Sequence, residues 1–341
     1  MTETGSVSRK ASASDVALAA GVSMQTVSRV ARGLDNVQPA TRDRVRAAMD
    51  KLGYSPNRAA RALRSGRFHT IGVIMFTLSS YGNSKTLEAI AEAASEADYT
   101  ITLLPVHQRT QGGVTGAFAR LSEQAVDGVI IVIEADILAE RDLALPADVP
   151  VVVIDSSGRS ARPLIDTDQA QGTRLAVQHL LDLGHETVWH VTGPENSYSS
   201  RRREAAWRSL LTDAGRDVPE PFRGDWTTGS GYRVGLEIAA RPEITAVFVA
   251  NDAMALGVLR ACHETGRSIP ASLSIVGFDD MTESESFWPP LTTIHQRFDE
   301  VGRSAIGLLL REMNHDEPAS GVIVTTGLVV RESTAAPMIR S

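Results

Sequence analysis

Gln25 and Arg29 lie four residues apart, a spacing that places both on one face of a helix. An amide can bond to N6 and N7 of adenine together, and a guanidinium can bond to O6 and N7 of guanine. Met24 adds an apolar surface that suits a thymine methyl group. Hydroxyl side chains that can bind phosphate surround them, at Ser23, Thr26 and Ser28. This set of residue types indicates a helix that contacts base edges in the major groove.

Two short helices joined by a tight turn must position these side chains. Ser12 with Asp15 forms a variant of the capping box and begins the first helix, which Gly21 ends. Ser23 can cap a second helix over residues 24 to about 32, in which apolar residues recur at helical spacing. Two short helices joined by a turn that contains glycine predict a helix-turn-helix.

The charge distribution supports a nucleic-acid partner for this segment. Residues 1–67 contain twelve Lys and Arg against five Asp and Glu, a net charge of +7. Since the whole chain carries −7, residues 68–341 carry −14. A basic head on an acidic body is typical of DNA-binding proteins. The alternative is a small helical domain whose polar face only meets solvent or protein.

The rest of the chain is predicted to form two α/β lobes. About 275 residues follow the head, which is too many for one ordinary core and suits two. Short β-branched runs alternate with amphipathic segments, as in parallel sheets covered by helices. The predicted strands are Thr70–Met75, Thr100–Val106, Gly128–Ile133, Val151–Ile154, Thr187–Val191, Ala246–Ala250 and Leu273–Phe278. The predicted helices lie near Lys85–Asp98, Gly172–Leu183, Arg202–Ala214, Tyr232–Ala240 and Asp252–Thr265.

Polar side chains follow several of these strands, at the edge where ligands of such sheets bind. Asp155, Asn251 and Asp279 each come directly after a predicted strand, and Arg203 lies in a following helix. A carboxylate, an amide and a guanidinium in one cleft can bind vicinal hydroxyls, because each sugar hydroxyl both donates and accepts. Trp226 adds an apolar face for a pyranose ring. Taken singly, Asp or Asn after a strand is also a common helix cap.

The head resembles the LacI/GalR family of bacterial transcription regulators. The motifs are DVALAAGVSMQTVSRV, which begins at Asp15, and TRDRVRAAMDKLGYSPNRAARALRSG, which ends at Gly66. The resemblance implies a sequence-specific DNA-binding regulator, most often a repressor that a sugar or glycoside releases from a pseudo-palindromic double-stranded operator. It also implies a hinge helix over residues 56–65, whose Leu63 enters the minor groove. The implied DNA-binding residues are Ser23, Met24, Gln25, Thr26, Ser28, Arg29, Asn36, Asn57, Ala60 and Leu63.

The larger part of the chain resembles the effector domain of that family, which is similar to periplasmic sugar-binding proteins. The matching segments are VVVIDSS, GPENSYSSRRR, RGDWTTGSG, VANDAMALG, VGFDD and LTTIHQRF. The resemblance implies a doubly wound, parallel-sheet lobe over about 68–166 and 297–325, and another over about 167–296 and 326–337. The implied effector-binding residues are Phe76, Asp155, Ser199, Arg203, Trp226, Asn251, Asp279, Gln296 and Phe298.

Trp226 makes this chain most similar to the lactose-repressor branch of the family. Two residues differ from the pattern of that branch. Phe76 stands where that branch has serine, and Thr167 stands where it has phenylalanine. Both changes would alter one wall of the pocket, so another pyranose or a short glycoside is expected as readily as a simple galactoside. Two alternatives stay open: a regulator that needs its ligand as a corepressor, and a sugar sensor that does not release DNA.

Other functions find little support in the sequence. Eight histidines lack metal-ligand spacing, and neither a Gly-x-Ser-x-Gly elbow nor a phosphate-binding glycine loop occurs, so we expect no catalysis, metal or cofactor. The single Cys262 excludes an internal disulfide. With no signal segment and no apolar run of membrane-spanning length, we expect a cytoplasmic bacterial protein without a membrane partner.

The domain organisation and the oligomeric state follow from the same patterns. We expect a disordered tail over residues 1–11, a helix-turn-helix domain over 12–66, and an effector-binding and dimerisation domain over 68–341. The chain ends RESTAAPMIRS without a leucine heptad, so we expect a homodimer.

Overall fold

The computed structural model describes residues 11–31, 36–54, 66–106, 111–123, 125–132, 149–154, 163–316 and 321–338. The chain divides into two compact units, Met1–Phe68 and His69–Ser341, and each is described separately. The predicted hinge helix and most of the predicted N-terminal tail lie outside the described residues. Four predicted site residues do so as well, namely Asn57, Ala60, Leu63 and Asp155.

The described residues of the N-terminal unit form three helices, and the predicted helix-turn-helix is confirmed. The Ser12 side chain accepts from the Asp15 amide at 3.3 Å, while the Asp15 carboxylate accepts from the Ser12 amide at 2.8 Å. Gly21 ends the first helix with a φ of 64°, a left-handed conformation that glycine adopts without strain. The helices are α1 (Ala13–Ala20), α2 (Met24–Ala31) and α3 (Pro39–Leu52). Their shared core consists of Val16, Ala17, Ala20, Val27, Val30, Val37, Val45 and Ala48.

A six-stranded parallel sheet forms the first lobe of the C-terminal unit, in the order β11-β5-β4-β3-β1-β2. Its strands are almost continuously apolar, as expected of a sheet that helices cover on both faces. The strands are β1 (Thr70–Met75), β2 (Thr100–Pro105), β3 (Gly128–Val132), β4 (Val151–Ile154), β5 (Leu164–Thr167) and β11 (Val322–Val324). The helices packed against it are α4 (Tyr81–Glu96), α5 (Gln111–Glu123) and α10 (Phe298–Met313).

The second lobe is built around a four-stranded parallel sheet in the order β7-β6-β8-β9. A further antiparallel pair, β10 with β12, lies beside it. The strands are β6 (Trp189–Thr192), β7 (Phe222–Arg223), β8 (Ala246–Val249), β9 (Ser274–Val276), β10 (Thr293–Gln296) and β12 (Thr326–Val329). The helices are α6 (Gln169–Asp182), α7 (Tyr198–Asp213), α8 (Thr228–Ala239) and α9 (Asp252–Glu264), with a 3-10 turn at Thr282–Ser286.

The chain passes between the lobes three times, after β5, after β10 and between β11 and β12. The predicted α/β class with two parallel-sheet lobes is confirmed, and its details differ in two ways. Strands β5, β7, β10, β11 and β12 were not predicted. Polar residues or glycine interrupt β5, β10 and β12, and β7 and β11 have only two and three residues. Helices α6, α7 and α8 begin about one turn earlier than the apolar periodicity indicates, because a polar side chain caps each one. The caps are Asp168, Ser197 and Thr227.

Helices α10 and α4 of the first lobe pack at close range through Gly302. A Cβ atom built on Gly302 would lie 2.6 Å from the carbonyl oxygen of Ala89 and 2.7 Å from its Cβ. Gly307, on the same helix, is exposed and has nothing within 4 Å of such a Cβ. The helix contact therefore requires glycine at position 302, whereas position 307 has room for a side chain.

Replacing these two glycines by alanine should change stability in opposite directions. Gly302→Ala must push the two helix backbones apart and should lower the free energy of unfolding by about 1–3 kcal/mol. Gly307→Ala gains helix propensity without a clash and should raise it by up to about 1 kcal/mol. Denaturant unfolding of the full chain, followed by circular dichroism, measures both. A stabilised Gly302→Ala variant would contradict the close helix contact.

Candidate functional site

The exposed face of α2 carries the side chains predicted to contact DNA. Val27 and Val30 are buried, at 1% and 5% exposure, so the opposite face of the helix is free of the core. Met24 is 59% exposed and Gln25 is exposed, while Arg29 is half-buried on the same helix. An amide, a guanidinium and a thioether thus share the first turns of one helix surface, which is the chemistry needed to read base edges.

The start of α2 is held by a side-chain cap. The Thr26 amide donates to Ser23 Oγ at 3.2 Å, and the hydroxyls of Ser23 and Thr26 lie 3.0 Å apart. The predicted cap by Ser23 is therefore confirmed. Helix N-termini also favour anions such as phosphate, because their first amides lack helical partners. Ser28 is half-buried on this helix, and Asn36 is exposed in the segment before α3.

A cleft between the two lobes of the C-terminal unit collects most of the other predicted residues. It encloses about 600 Å³, part of which is open to solvent. Among the described residues, Arg203 and Asp279 are the charged side chains of its lining. The predicted residues that line it are Ser199, Arg203, Trp226, Asn251, Asp279, Gln296 and Phe298. Further lining residues are Ser80, Gly82, Asn83, Thr86, Val132, Ile154, Thr167, Gln169 and Val301.

Arg203 is the buried cation of this cleft, with 4% of its surface exposed. Its Nε donates to Gln169 Oε1 at 2.8 Å, and its Nη1 donates to the carbonyl oxygen of Ala250. The guanidinium carbon lies 3.6 Å from the ring centre of Phe278 and 5.6 Å from that of Trp226. Fixed partners and stacking keep the guanidinium plane in one orientation, which suits directional bonds to a ligand.

Asp279 faces Arg203 across the floor of the cleft. Its Oδ1 lies 4.0 Å from Arg203 Nη1 and accepts a hydrogen bond from Gln296 Nε2 at 2.7 Å. Its backbone has a φ of 119°, which is strained for a residue with a side chain. The Asp279 amide donates to the Ile294 carbonyl at 2.8 Å, and this bond helps to hold the strained turn. Strained backbone that neighbouring groups hold in place is typical of ligand sites.

Trp226 also has left-handed backbone, with a φ of 72°. Asn251 Nδ2 donates to the Trp226 carbonyl at 3.1 Å, while Asn251 Oδ1 caps α9 by accepting from the Met254 amide at 2.9 Å. Asn251 therefore fixes both the tryptophan and the helix. The indole ring crosses directly over Gly193, where a Cβ atom would lie 2.6 Å from its Cε2. This position requires glycine for the indole to lie against the strand end.

Asp252 lies directly behind the cleft and was not predicted as a site residue. It is fully buried and accepts from Thr293 Oγ1 at 2.5 Å, from Ser284 Oγ at 2.7 Å and from the Met281 amide at 2.9 Å. Burial, with the nearby Asp279 carboxylate, raises the pKa of Asp252 to about 7, although the three donors oppose the shift. This carboxyl group links α9 to the turn that presents Asp279.

One predicted effector-binding residue, Phe76, is not among the residues that line the cleft. It is 8% exposed and belongs to the apolar cluster between the first sheet and α5, with Ile74, Val106 and Phe118 among its members. Phe76 is two residues beyond Ile74, and strand alternation directs both side chains to that face. Thr167, the other departure, does line the cleft.

Further lining residues, on α4 and at the start of α6, were not predicted from the sequence. Asn83 and Thr86 are 7% exposed, and Gln169 is 3% exposed. Asn83 and Thr86 lie three residues apart, so they share one face of α4 with its buried alanines. Thr86 is a polar residue on the apolar face of a predicted helix, which is a signal that could have indicated it, whereas Asn83 and Gln169 precede the predicted helices.

Two family models match the chain. The model described as "Bacterial regulatory proteins, lacI family" matches residues 13–57, and that of a periplasmic binding protein-like domain matches residues 177–334. The chain is 35% identical over 330 residues to the lactose operon repressor of Escherichia coli (strain K12), covering 95% of this chain and 90% of that protein. The chain belongs to the LacI family. It is a DNA-binding transcriptional regulator.

Further similarities place this LacI-family regulator among proteins of the same architecture. It is 33% identical over 346 residues to the transcriptional regulator CelR of Thermobifida fusca, covering 93% of this chain and 96% of that protein. A lac repressor dimer bound to operator and the anti-inducer ONPF superposes with a TM-score of 0.84 at 34% identity, over 96% of this chain and 100% of that one. A CelR–cellobiose complex superposes with a TM-score of 0.70 at 30% identity, over 95% and 99%.

The described part of this LacI-family regulator contains neither a candidate metal site nor a candidate membrane span. No group of three or more His, Cys, Asp or Glu there is arranged to hold a metal ion. No helix there is long and apolar enough to cross a membrane.

The raised pKa of Asp252 should make stability depend on pH. The folded state holds this proton more tightly than the unfolded state. The contribution of the protonated carboxyl group to the free energy of unfolding is therefore complete below the ordinary pKa of Asp and is lost as the pH rises to about 7. The free energy of unfolding of the wild type, minus that of Asp252→Asn, should fall by about 1 kcal/mol per pH unit between pH 5 and 7.

Denaturant unfolding at several pH values measures this difference. Asp252→Asn has no proton to lose in this pH range, so its own stability should lack this pH dependence. Thr293→Val removes a donor to the carboxylate and should extend the pH-dependent range upward. A difference between wild type and Asp252→Asn that does not vary with pH would contradict the raised pKa.

Proposed function

We propose that this protein is a repressor that binds a pseudo-palindromic operator as a homodimer and is released from it by a neutral sugar or glycoside. The observation that carries the proposal is the inter-lobe cleft with Arg203, Asp279, Asn251 and Trp226 in its lining, in a chain that also has a helix-turn-helix. Ligand binding without chemical turnover is part of the proposal, since the described residues of the cleft include no activated nucleophile.

The charges of the cleft favour an uncharged ligand. Arg203 and Asp279 are opposite charges 4.0 Å apart, so they offset each other, and the remaining described polar lining consists of amides and hydroxyls. A carboxylate or phosphate ligand would leave one charge without a partner at high cost. Amides and hydroxyls match sugar hydroxyls, and the Trp226 and Phe298 rings offer apolar faces. The structural relative with cellobiose bound supports this ligand class.

For DNA binding we propose the ten residues implied by the resemblance, with α2 in the major groove and the hinge over 56–65 in the minor groove. The same proposal assigns residues 12–66 to the DNA-binding domain and residues 68–341 to the effector-binding and dimerisation domain. It also keeps the predicted bounds of the two lobes. Two copies would place their recognition helices about one DNA turn apart. The lac repressor dimer on its operator supports this arrangement.

Effector binding would close the cleft and rotate one lobe against its partner in the dimer. That rotation would separate the two hinge segments and weaken DNA binding. A coupling of roughly 1–3 kcal/mol changes operator affinity about 5- to 150-fold.

Leu63→Ala should weaken operator binding and leave sugar binding unchanged. The leucine wedge contributes only to the bent DNA complex, because its contact lies between base steps. Fluorescence anisotropy with a duplex selected from random sequences measures the first effect, and calorimetry measures the second. Unchanged operator affinity would contradict the wedge.

Arg203→Ala should abolish effector binding. Calorimetry of the full chain against galactosides, glucosides and cellobiose identifies a ligand, and the variant then tests the cleft. Arg201→Ala is the matched control, because Arg201 lies on the same helix, outside the cleft lining. If wild type and Arg203→Ala bind the ligand equally well, the assigned site is wrong. If no sugar of the panel binds the wild type, the sugar proposal is wrong.

Titrating the identified ligand into the preformed operator complex decides the direction of control. Release of the DNA supports a repressor that is induced by sugar. Tighter DNA binding would instead indicate a corepressor, and no change would indicate a sensor that does not release DNA.

A further inference from the structure

Asp166 is a buried carboxylate at the point where the chain leaves the first lobe. It lies on β5, next to Thr167 of the cleft lining, and it is 3% exposed. Its neighbour Ile165 packs into the apolar cluster beneath α10, so strand alternation directs Asp166 to the other face of the sheet. The strands on either side, β4 and β11, carry only apolar side chains over their described lengths.

The partner of Asp166 comes from the opposite lobe. Arg202 on α7 donates from Nη1 to Asp166 Oδ2 at 2.7 Å. The same Nη1 donates to the Tyr198 hydroxyl at 2.9 Å, and the guanidinium lies 5.5 Å from the Tyr198 ring centre. Because β5 belongs to the first sheet and α7 packs in the second lobe, this ion pair bridges the two lobes. Arg202 is also the immediate neighbour of Arg203.

The ion pair with Arg202 offsets only part of the cost of burying the Asp166 carboxylate. Within the described residues, Oδ1 is buried and has no hydrogen-bond partner. The charged groups that act on it are Arg202 and Arg203 on α7, which favour the carboxylate, and Asp168 at the start of α6, which opposes it. Burial outweighs the two cations and raises the pKa of Asp166 to about 6.

We propose that the Asp166–Arg202 contact is a latch that couples closure of the two lobes to uptake of a proton by Asp166. Separating the lobes would remove Arg202 from Asp166 and expose the carboxyl group to water. In the open form its pKa would return to the ordinary value near 3.8, whereas in the closed form it is about 6. The closed form therefore binds the proton more tightly, and acidification must favour closure.

The latch adds a pH response to the lobe movement on which the proposed release mechanism rests. With the two pKa values above, the ratio of closed to open protein should rise about tenfold between pH 7.5 and pH 5. Sugar affinity would rise with it, because a ligand that binds the closed form gains from a larger closed population. No effector is needed for the latch itself.

The distance between the two rims of the cleft tests the latch directly. Ser79 and Asn196 are exposed, one on each lobe, and Ser79→Cys with Asn196→Cys would accept nitroxide labels. The native Cys262 is fully buried, so it should not react. Double electron–electron resonance on the ligand-free full chain, mixed with excess unlabelled chain, gives the rim distance from pH 7.5 to 5. We expect the short-distance population to grow on acidification.

Three variants separate the latch from a merely structural contact. Asp166→Asn should make the distance distribution independent of pH. Arg202→Met removes a stabilising cation, so the pKa of Asp166 should rise further and the midpoint should move to higher pH. Glu204→Gln is the matched control, because Glu204 pairs with Arg208 and Arg223 within the second lobe and should leave the response unchanged.

Two results would overturn the latch: a rim distance in the wild type that does not change with pH, or an unchanged midpoint in Arg202→Met. The midpoint measured in Arg202→Met still decides the question if Asp166→Asn fails to fold. Because the measurement uses neither DNA nor sugar, failure of the latch would leave the proposed repressor function intact. Failure of the wild-type chain to bind any duplex would contradict the repressor and leave the rim distances interpretable.

Discussion

The buried guanidinium of Arg203 is the constraint around which the second lobe is arranged. A charge with so little exposure must be given fixed partners, because burying it without them would cost far more than a domain's net stability. The partners come from separate elements: Gln169 at the start of α6, the Ala250 carbonyl after β8, and the Phe278 ring after β9. Satisfying one cation thus requires two strand ends and two helices to meet at one place, and that place is the floor of the cleft.

Strained backbone beside Arg203 shows how the cleft is prepared for a ligand. Trp226 and Asp279 both have positive φ, which costs of order 1–3 kcal/mol for each residue with a side chain. Asn251 and the buried Asp252 hold the two turns by hydrogen bonds. The strain is therefore offset within the folded protein before any ligand arrives, and less of the binding free energy is needed to order the site.

The connections between the lobes link this site to movement. Three chain passages link the two sheets covalently, and the Asp166–Arg202 ion pair adds a contact that can break. Arg202 and Arg203 are consecutive, yet one is held by the first lobe and the other by the cleft floor. A shift of α7 on ligand binding must therefore act on the inter-lobe contact as well. In a LacI-family regulator this is the region where an effector and lobe geometry can influence each other.

Local patterns in the sequence determined the helix-turn-helix, the α/β alternation and four of the cleft residues, Arg203, Trp226, Asn251 and Asp279, because caps, glycine stops and apolar periodicity act over a few residues. Only the tertiary structure decided which sheet face each side chain meets. The family resemblance implied Phe76 as a pocket residue, but α5 covers that face of the sheet and buries Phe76 in the core. Gln169, Asp252 and Asp166 look like ordinary polar residues in the sequence. Their roles come from burial beside groups distant in the chain, and burial is what changes the free energy of a charge.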